Sequence, residues 1–265
     1  MATAPVTVNV GQEQDRFVCG YPKTGRTWLR YMIANYLTGI YGIDVDITLA
    51  NIYSVVPNDS NELIPGQQTF TFSHVMPKII MSHASHEPRF DDSRLIFLTR
   101  DPRDVMVSHW LHHKHQRATF NGSVSAFITN LGLGINAFCE HLDSWSPHLN
   151  TEQVVSYEAM RDKTEEKFGH VLDVLGIKVD TARISEVVLA SSFERMRRVE
   201  MAHGIAGHDY DRLDPEALRV RRGEVGGYQE YLSDGDIQYI DHRVSACTAA
   251  SKAFLELTAY IPSSS

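Results

Sequence analysis

Short apolar runs recur along this chain, each leading into an amphipathic stretch. RFVCG precedes TWLRYMIANYLTG, RLIFLTR precedes PRDVMVSHWLHHKH, and QVVSYEAM precedes KTEEKFGHVLDVLG, with KIIMSH between the first two pairs. Strands and helices in that alternation predict an α/β fold, a central mainly parallel β-sheet flanked by helices. Ligands of such sheets sit at the C-terminal edge of the strands. At 265 residues and 43% hydrophobic composition, one large core is expected, hence a single domain over 1–265 with a helical C-terminal segment over 229–265. Helical periodicity also runs through 123–145, 183–200 and 234–256. The polar, Pro-containing stretch 42–78 reads as loops and short helices over a site.

A formal charge of -8 argues against a nucleic-acid binder, so any polyanion must meet a local cluster of cations. Cys19, Cys139 and Cys247 are widely spaced and odd in number, which fits a reducing compartment better than a disulfide framework. The N-terminus has no basic start followed by a long apolar run, and no stretch reaches about 18 apolar residues. A cytoplasmic protein without a membrane partner is therefore expected.

GYPKTGRT, residues 20–27, departs by one letter from the nucleotide-binding signature G-x-x-x-x-G-K-S/T: Arg26 stands where the lysine belongs, and Lys23 is displaced upstream. It follows an apolar strand and opens a helix, with Thr24 or Thr27 as the expected cap, so backbone N–H groups would face an anion. A magnesium-dependent ATPase also needs an acid at the end of a neighbouring strand. Here LIFLTR ends in Arg100, and Asp101 before Pro102 reads as a helix start.

Cations gather elsewhere. Arg100 and Ser108 lie two turns apart at the start of one helix, while Arg221, Arg222 and Gly223 form a second basic group whose glycine admits close backbone approach. Two clusters suggest a ligand with two separated anionic groups, although Arg221 with Arg222 also reads as a solvated pair. Trp28 is a core residue or a platform for a base.

These segments resemble the cytosolic-type sulfotransferases, which use 3′-phosphoadenosine-5′-phosphosulfate (PAPS) and release the 3′,5′-bisphosphate (PAP). YPKTGRTW over Tyr21 to Trp28 is similar to the family's Y-P-K-S/A-G-x-T-W, and RDPRDVMVS over Arg100 to Ser108 to its R-N/D-P-K/R-D-x-x-x-S. PKIIMSH, VSYEAM, SSFERM and RRGEVGGY are similar to its P-K/R-I-I/V-K-T-H, Y-E-D-M, S/T-S-F-x-x-M and R-K-G-x-x-G-D-W segments. Six segments in the family's order make the motif-bearing region about 17–228.

The resemblance implies roles. Lys23, Thr24, Gly25, Arg26 and Thr27 would surround the 5′-phosphosulfate; Trp28 and Phe193 would pack on adenine, with Tyr157 and Ser192 near its edge and Met196 closing the same segment. Arg100, Ser108, Arg221, Arg222 and Gly223 would hold the 3′-phosphate. His83 falls on the catalytic histidine, beside Lys23 as the second catalytic group. The chemistry asks for the same types: a base of near-neutral pKa for the acceptor's proton, and a cation at the departing phosphate. A metal is dispensable, and the HHKH run at 112–115 lacks an acidic or thiol complement. His86 is expected to line the acceptor pocket.

The implied acceptor is a small molecule carrying a hydroxyl, or less readily an amine. Its pocket is expected from 42–78, 200–220 and the region after His113, and Tyr53, Phe70, Phe72 and Met76 suggest a partly apolar compound. Met81 stands where relatives often carry lysine, a charge that Arg26 is a candidate to replace. Tyr228 and Gln229 depart from the family's Trp-Lys, and its K-x-x-x-T-V-x-x-x-E dimerisation signature is absent, so oligomeric state is left open. The competing readings are a P-loop kinase or NTPase and a catalytically inert nucleotide-binding relative.

Overall fold

The computed structural model describes residues 15–59 and 76–262; Phe70, Phe72 and His74 lie outside these. Strand β1 (Arg16–Gly20) leads into α1 (Arg26–Ile40) and the short α2 (Ile52–Val55). Strands β2 (Ile79–Ser82) and β3 (Arg94–Thr99) follow, then α3 (Pro102–Leu111), α4 (Val124–Ile128) and α5 (Ile135–Trp145). After β4 (Val154–Ser156) come α6 (Tyr157–Asp162), α7 (Thr164–Val174), α8 (Thr181–Ala190), α9 (Phe193–His203), α10 (Asp234–Ser245) and α11 (Ala249–Glu256).

The strands pair in parallel in the order β2-β1-β3-β4, the architecture expected from the alternating runs. Side chains along each strand alternate between two cores. Val18, Ile79, Met81, Ile96, Leu98 and Val155 pack on the face covered by α1 and α7. Phe17, Cys19, Leu95, Phe97 and Val154 pack on the face covered by α3, α5 and α10. Helices on both faces are why these strands read as unbroken apolar runs.

The chain leaves β1 for β2 on one side and returns to β3 on the other, so connections diverge at the C-terminal ends of β1 and β3. A crevice opens at such a switch point.

The periodic stretches 123–145, 183–200 and 234–256 each divide into two helices. Asn130 interrupts the first, its side chain accepting from Gly132 and Leu133 N–H, both at 3.0 Å. Thr248 restarts the third, accepting from Ser251 N–H at 3.2 Å. Short polar side chains offered the backbone a partner that competes with helix continuation, a signal periodicity does not carry. Among the described residues no helix is long and apolar enough to cross a membrane.

Candidate active site

All four strands deliver candidate site residues at their C-terminal ends. β1 runs into the loop 21–25, β2 into His83, β3 into Arg100, and β4 into Tyr157. The loop is tightly wound: Lys23 has φ 75° and Gly25 φ 101°. A lysine in the left-handed region is uncommon and costs about 1–2 kcal/mol. The expected threonine cap is absent. Thr24 is buried and donates to Tyr21 O at 2.9 Å, while Thr27 lies inside the helix, so α1 is entered from Gly25 without a side-chain cap. Leaving that end uncapped keeps it available to an anion.

The loop opens onto a cavity of about 1280 Å³. Lys23, Gly25, Arg26, Thr27 and Trp28 line it, together with His83, Arg100, Ser108, Tyr157, Phe193, Met196, Arg221, Arg222 and Gly223. Two expected residues do not. Thr24 is consumed by the turn, and Ser192, which precedes α9, lines a smaller pocket beside Trp28 instead.

Aromatic rings wall one end of the cavity. Trp28 and Tyr157 meet edge to face at 5.9 Å, and Trp28 Nε1 donates to Ser191 O at 3.1 Å. A Cβ on Gly25 would come within 2.7 Å of the Tyr157 ring, and one on Gly223, φ 68°, within 2.7 Å of Phe193. Both positions therefore require glycine twice over, for φ and for space.

Arg100 lies over the Tyr157 ring at 4.3 Å and donates to the carbonyls of Lys23 at 3.3 Å and Glu224 at 3.2 Å, which links β3 to the loop and to the late basic segment. Arg221 donates to Tyr231 Oη at 3.0 Å, and Arg222 pairs with Glu230. Two carboxylates hold the late segment in place. Asp104 accepts from Gly226 and Tyr228 N–H at 2.9 and 3.0 Å. Glu200, fully buried in α9, accepts from Arg219 and Val220 N–H at 2.7 Å each and from Tyr210 Oη at 2.6 Å. Asp101 caps α3, accepting from Arg103 N–H at 2.8 Å, and is gripped by the Arg103 guanidinium.

His83 stands directly after β2. Its Nδ1 donates to Gly20 O at 2.7 Å, which leaves the lone pair of the neutral ring on Nε2. Burial, then the charge of Arg26, hold its pKa well below the usual histidine value, so the ring is neutral near pH 7. Lys23 is lowered well below the ordinary lysine range by burial first and by Arg219, Arg100 and Arg221 next; Glu200 works in the opposite sense. An anion among these cations would reverse that shift.

A further expectation fails. His86 does not line the cavity: its Nε2 meets Asp91 at 2.9 Å and its ring stacks on His148 at 3.5 Å, drawn there by Phe90 and Trp145. Met81 is fully buried in the core against α1, because the residue two before His83 faces the opposite side from the cavity-lining Ser82. A lysine placed at Met81 of this chain would bury its charge, whereas Arg26 lines the cavity. Of the residues expected to make the pocket partly apolar, Tyr53 lines the cavity with the Arg30 guanidinium 4.3 Å from its ring centre, Met76 packs on the core, and Phe70 and Phe72 lie outside the described residues; His109, His112, His113, Gln116, His208 and Arg219 line the cavity as well.

A model of the sulfotransferase domain matches residues 13–252. The chain belongs to that family. It is a sulfotransferase, with PAPS as sulfuryl donor. Among relatives, Arabidopsis thaliana cytosolic sulfotransferase 17 is 24% identical over 263 residues, covering 86% of this chain and 72% of that one. Mus musculus sulfotransferase 4A1 is 26% identical over 233 residues, covering 83% and 75%. Two solved structures share the fold: mouse sulfotransferase SULT7A1 complexed with PAP, TM-score 0.63 at 19% identity over 92% of this chain and 88% of that one, and retinol dehydratase with androsterone and inactive cofactor PAP, TM-score 0.65 at 15% identity over 93% and 82%.

Within this sulfotransferase, the cavity is also lined by residues of the three regions expected to supply the acceptor pocket: Tyr53, Asn58 and Asp59 from the first, residues 207–209 with Arg219 and Val220 from the second, and Gln116, Arg117 and Thr119 after His113. Asp104 and Glu200 were missed. Asp104 is the second Asp of RDPRD and had a motif to mark it. Glu200 had none, since a lone glutamate in an amphipathic helix ordinarily faces water.

Proposed function

We propose that His83 is the general base, Lys23 the cation at the departing phosphate, and a small-molecule hydroxyl the acceptor. Bound PAPS supplies an activated S–O bond to its 5′-phosphate. The acceptor O–H gives its proton to His83 Nε2 as its oxygen bonds to sulfur, and the bond from sulfur to the phosphate oxygen breaks. Lys23 and the uncapped start of α1 stabilise the charge that collects on that oxygen.

Fit to the nucleotide is supported by the cradle itself. Gly25 and Gly223 lie where any Cβ would strike Tyr157 or Phe193, so ring faces stand against bare backbone, and Arg100, Ser108, Arg221 and Arg222 line the same cavity. These four are the residues we assign to the 3′-phosphate, with Trp28 and Phe193 assigned to adenine.

The observation that carries the base assignment is the 2.7 Å bond from His83 Nδ1 to Gly20 O. It orients the ring from the strand that feeds the phosphate loop and fixes the tautomer whose Nε2 can take a proton. The kinase reading has no comparable support, since Asp101, the residue at the magnesium position, is engaged by Arg103. Labelled sulfate from PAPS should reach a hydroxyl acceptor in the presence of EDTA; transfer that stops in chelator and returns with magnesium would contradict the scheme.

A further inference from the structure

Next to Lys23 the cavity wall becomes a network of imidazoles and guanidiniums. Arg117 Nε donates to His112 Nε2 at 3.1 Å, and His112 Nδ1 donates to Gln116 Oε1 at 2.6 Å. Arg219 Nη2 donates to the same Gln116 Oε1 at 3.2 Å and to His208 Nε2 at 2.9 Å. Imidazole nitrogens that accept from guanidiniums belong to neutral rings. Burial first, then the neighbouring cations, push the pKa of His208 down to about 3 and that of His112 further.

Positive charge in this network is therefore confined to the arginines. Arg100, Arg221 and Arg222 each lie within 4 Å of a carboxylate. Among the described residues Arg117 and Arg219 form no such ion pair, and Arg219 Nε, closed off from water, has no hydrogen-bond partner. Two guanidiniums held by neutral acceptors keep their charge for an incoming anion. Neither belongs to the group assigned above to the 3′-phosphate.

We propose that the acceptor is an anionic hydroxyl compound, with a carboxylate or a phosphate or sulfate ester held by Arg117 and Arg219 while its hydroxyl faces His83. This rests on the sulfuryl-transfer scheme for the fate of the hydroxyl; the charge preference stands on the wall alone.

The experiment uses triplets of hydroxyl compounds on shared aromatic, alkyl and sugar scaffolds, each differing only in carrying a carboxamide, a carboxylate or a phosphate ester. They are titrated calorimetrically into the protein saturated with PAP, which keeps the probes out of the nucleotide site. In at least one scaffold an anionic member should bind about tenfold or more tighter than its amide, the worth of a charge-assisted pair. Arg117→Gln and Arg219→Gln should each reduce that preference with the amide's affinity little changed, and Arg117→Lys should restore part of it. PAP affinity measured on every variant separates damage to the nucleotide site from loss of acceptor binding. The carboxylate and phosphate arms tell which oxyanion is preferred. Amides binding as tightly as their anions in every triplet, or a preference that survives in the double glutamine variant, overturns the proposal. Failure of the transfer scheme has a different signature: anions bind, but label from PAPS moves to none of them.

Discussion

His83 and Gly20 are joined by a hydrogen bond of 2.7 Å from the imidazole Nδ1 to the backbone carbonyl. The bond crosses from the end of β2 to the end of β1, so the residue that would take the proton is tied to the strand that launches the phosphate loop. Displacement of the loop would move the base with it.

Arg26 contributes to holding the His83 pKa down, second to burial. Removing that cation makes the imidazolium less unfavourable, so Arg26→Ala should raise the His83 pKa. The acid limb of the kcat/KM profile, set by protonation of the base, should move to higher pH, while the wild-type limb lies well below pH 6.5. An unmoved limb in the variant would separate Arg26 from His83 and leave it a nucleotide-binding role alone.

Gly25→Ala places a methyl group 2.7 Å from the Tyr157 ring at a φ of 101°, and Gly223→Ala does the same to Phe193 at 68°. Each should weaken PAP by at least about tenfold, because the ring walls are displaced and the backbone is strained by about 1–2 kcal/mol. Titration of PAP into variants whose melting is still cooperative tests this. Unchanged affinity would mean that the rings stand clear of the nucleotide.

Lys23 has a depressed pKa in the ligand-free protein, caused by burial and then by Arg219, Arg100 and Arg221. An anion raises the pKa of a neighbouring lysine, so PAP binding should take up protons, and affinity should fall as pH rises between the depressed value and the ordinary lysine range. Calorimetry in buffers of different ionisation enthalpy measures the uptake. Proton release, or no exchange, would contradict the placement of Lys23 against phosphate.

Glu158, whose Oε1 accepts from Asp101 N–H at 3.0 Å, has its pKa pushed up to about 7, chiefly by burial. The folded protein then binds a proton that the unfolded chain has already lost, so stability attributable to this group declines as pH rises from about 4.5 to 7 and stays low above. Glu158→Gln keeps an acceptor for Asp101 and removes the buried charge. It should stabilise the protein at pH 8 by on the order of 2 kcal/mol and have little effect at pH 4. Chemical denaturation at the two pH values decides it.

Much of this site is legible in the sequence where function rests on backbone geometry. YPKTGRTW and RDPRDVMVS announce a strand, a turn and a helix start, and local chemistry alone nearly fixes their shape. Residues whose position depends on distant contacts were not legible. Thr24 looked like a cap, yet the turn claims its hydroxyl. His86 looked like a pocket residue three positions from His83, yet Phe90, Trp145 and His148 turn it away. Ser192 sits in a matching motif but lines only the smaller pocket, whereas its neighbour Phe193 lines both that pocket and the main cavity. Glu200 and Arg219 had no local signal at all, since each takes its meaning from a partner brought near by the fold.

The base assignment is tested most directly by single-turnover transfer of labelled sulfate from PAPS, comparing wild type with His83→Ala at saturating donor. The account predicts unchanged PAP affinity and a chemical step slowed about 100-fold or more. A His83→Ala enzyme that transfers sulfate at the wild-type rate, with PAP bound as tightly, would contradict it.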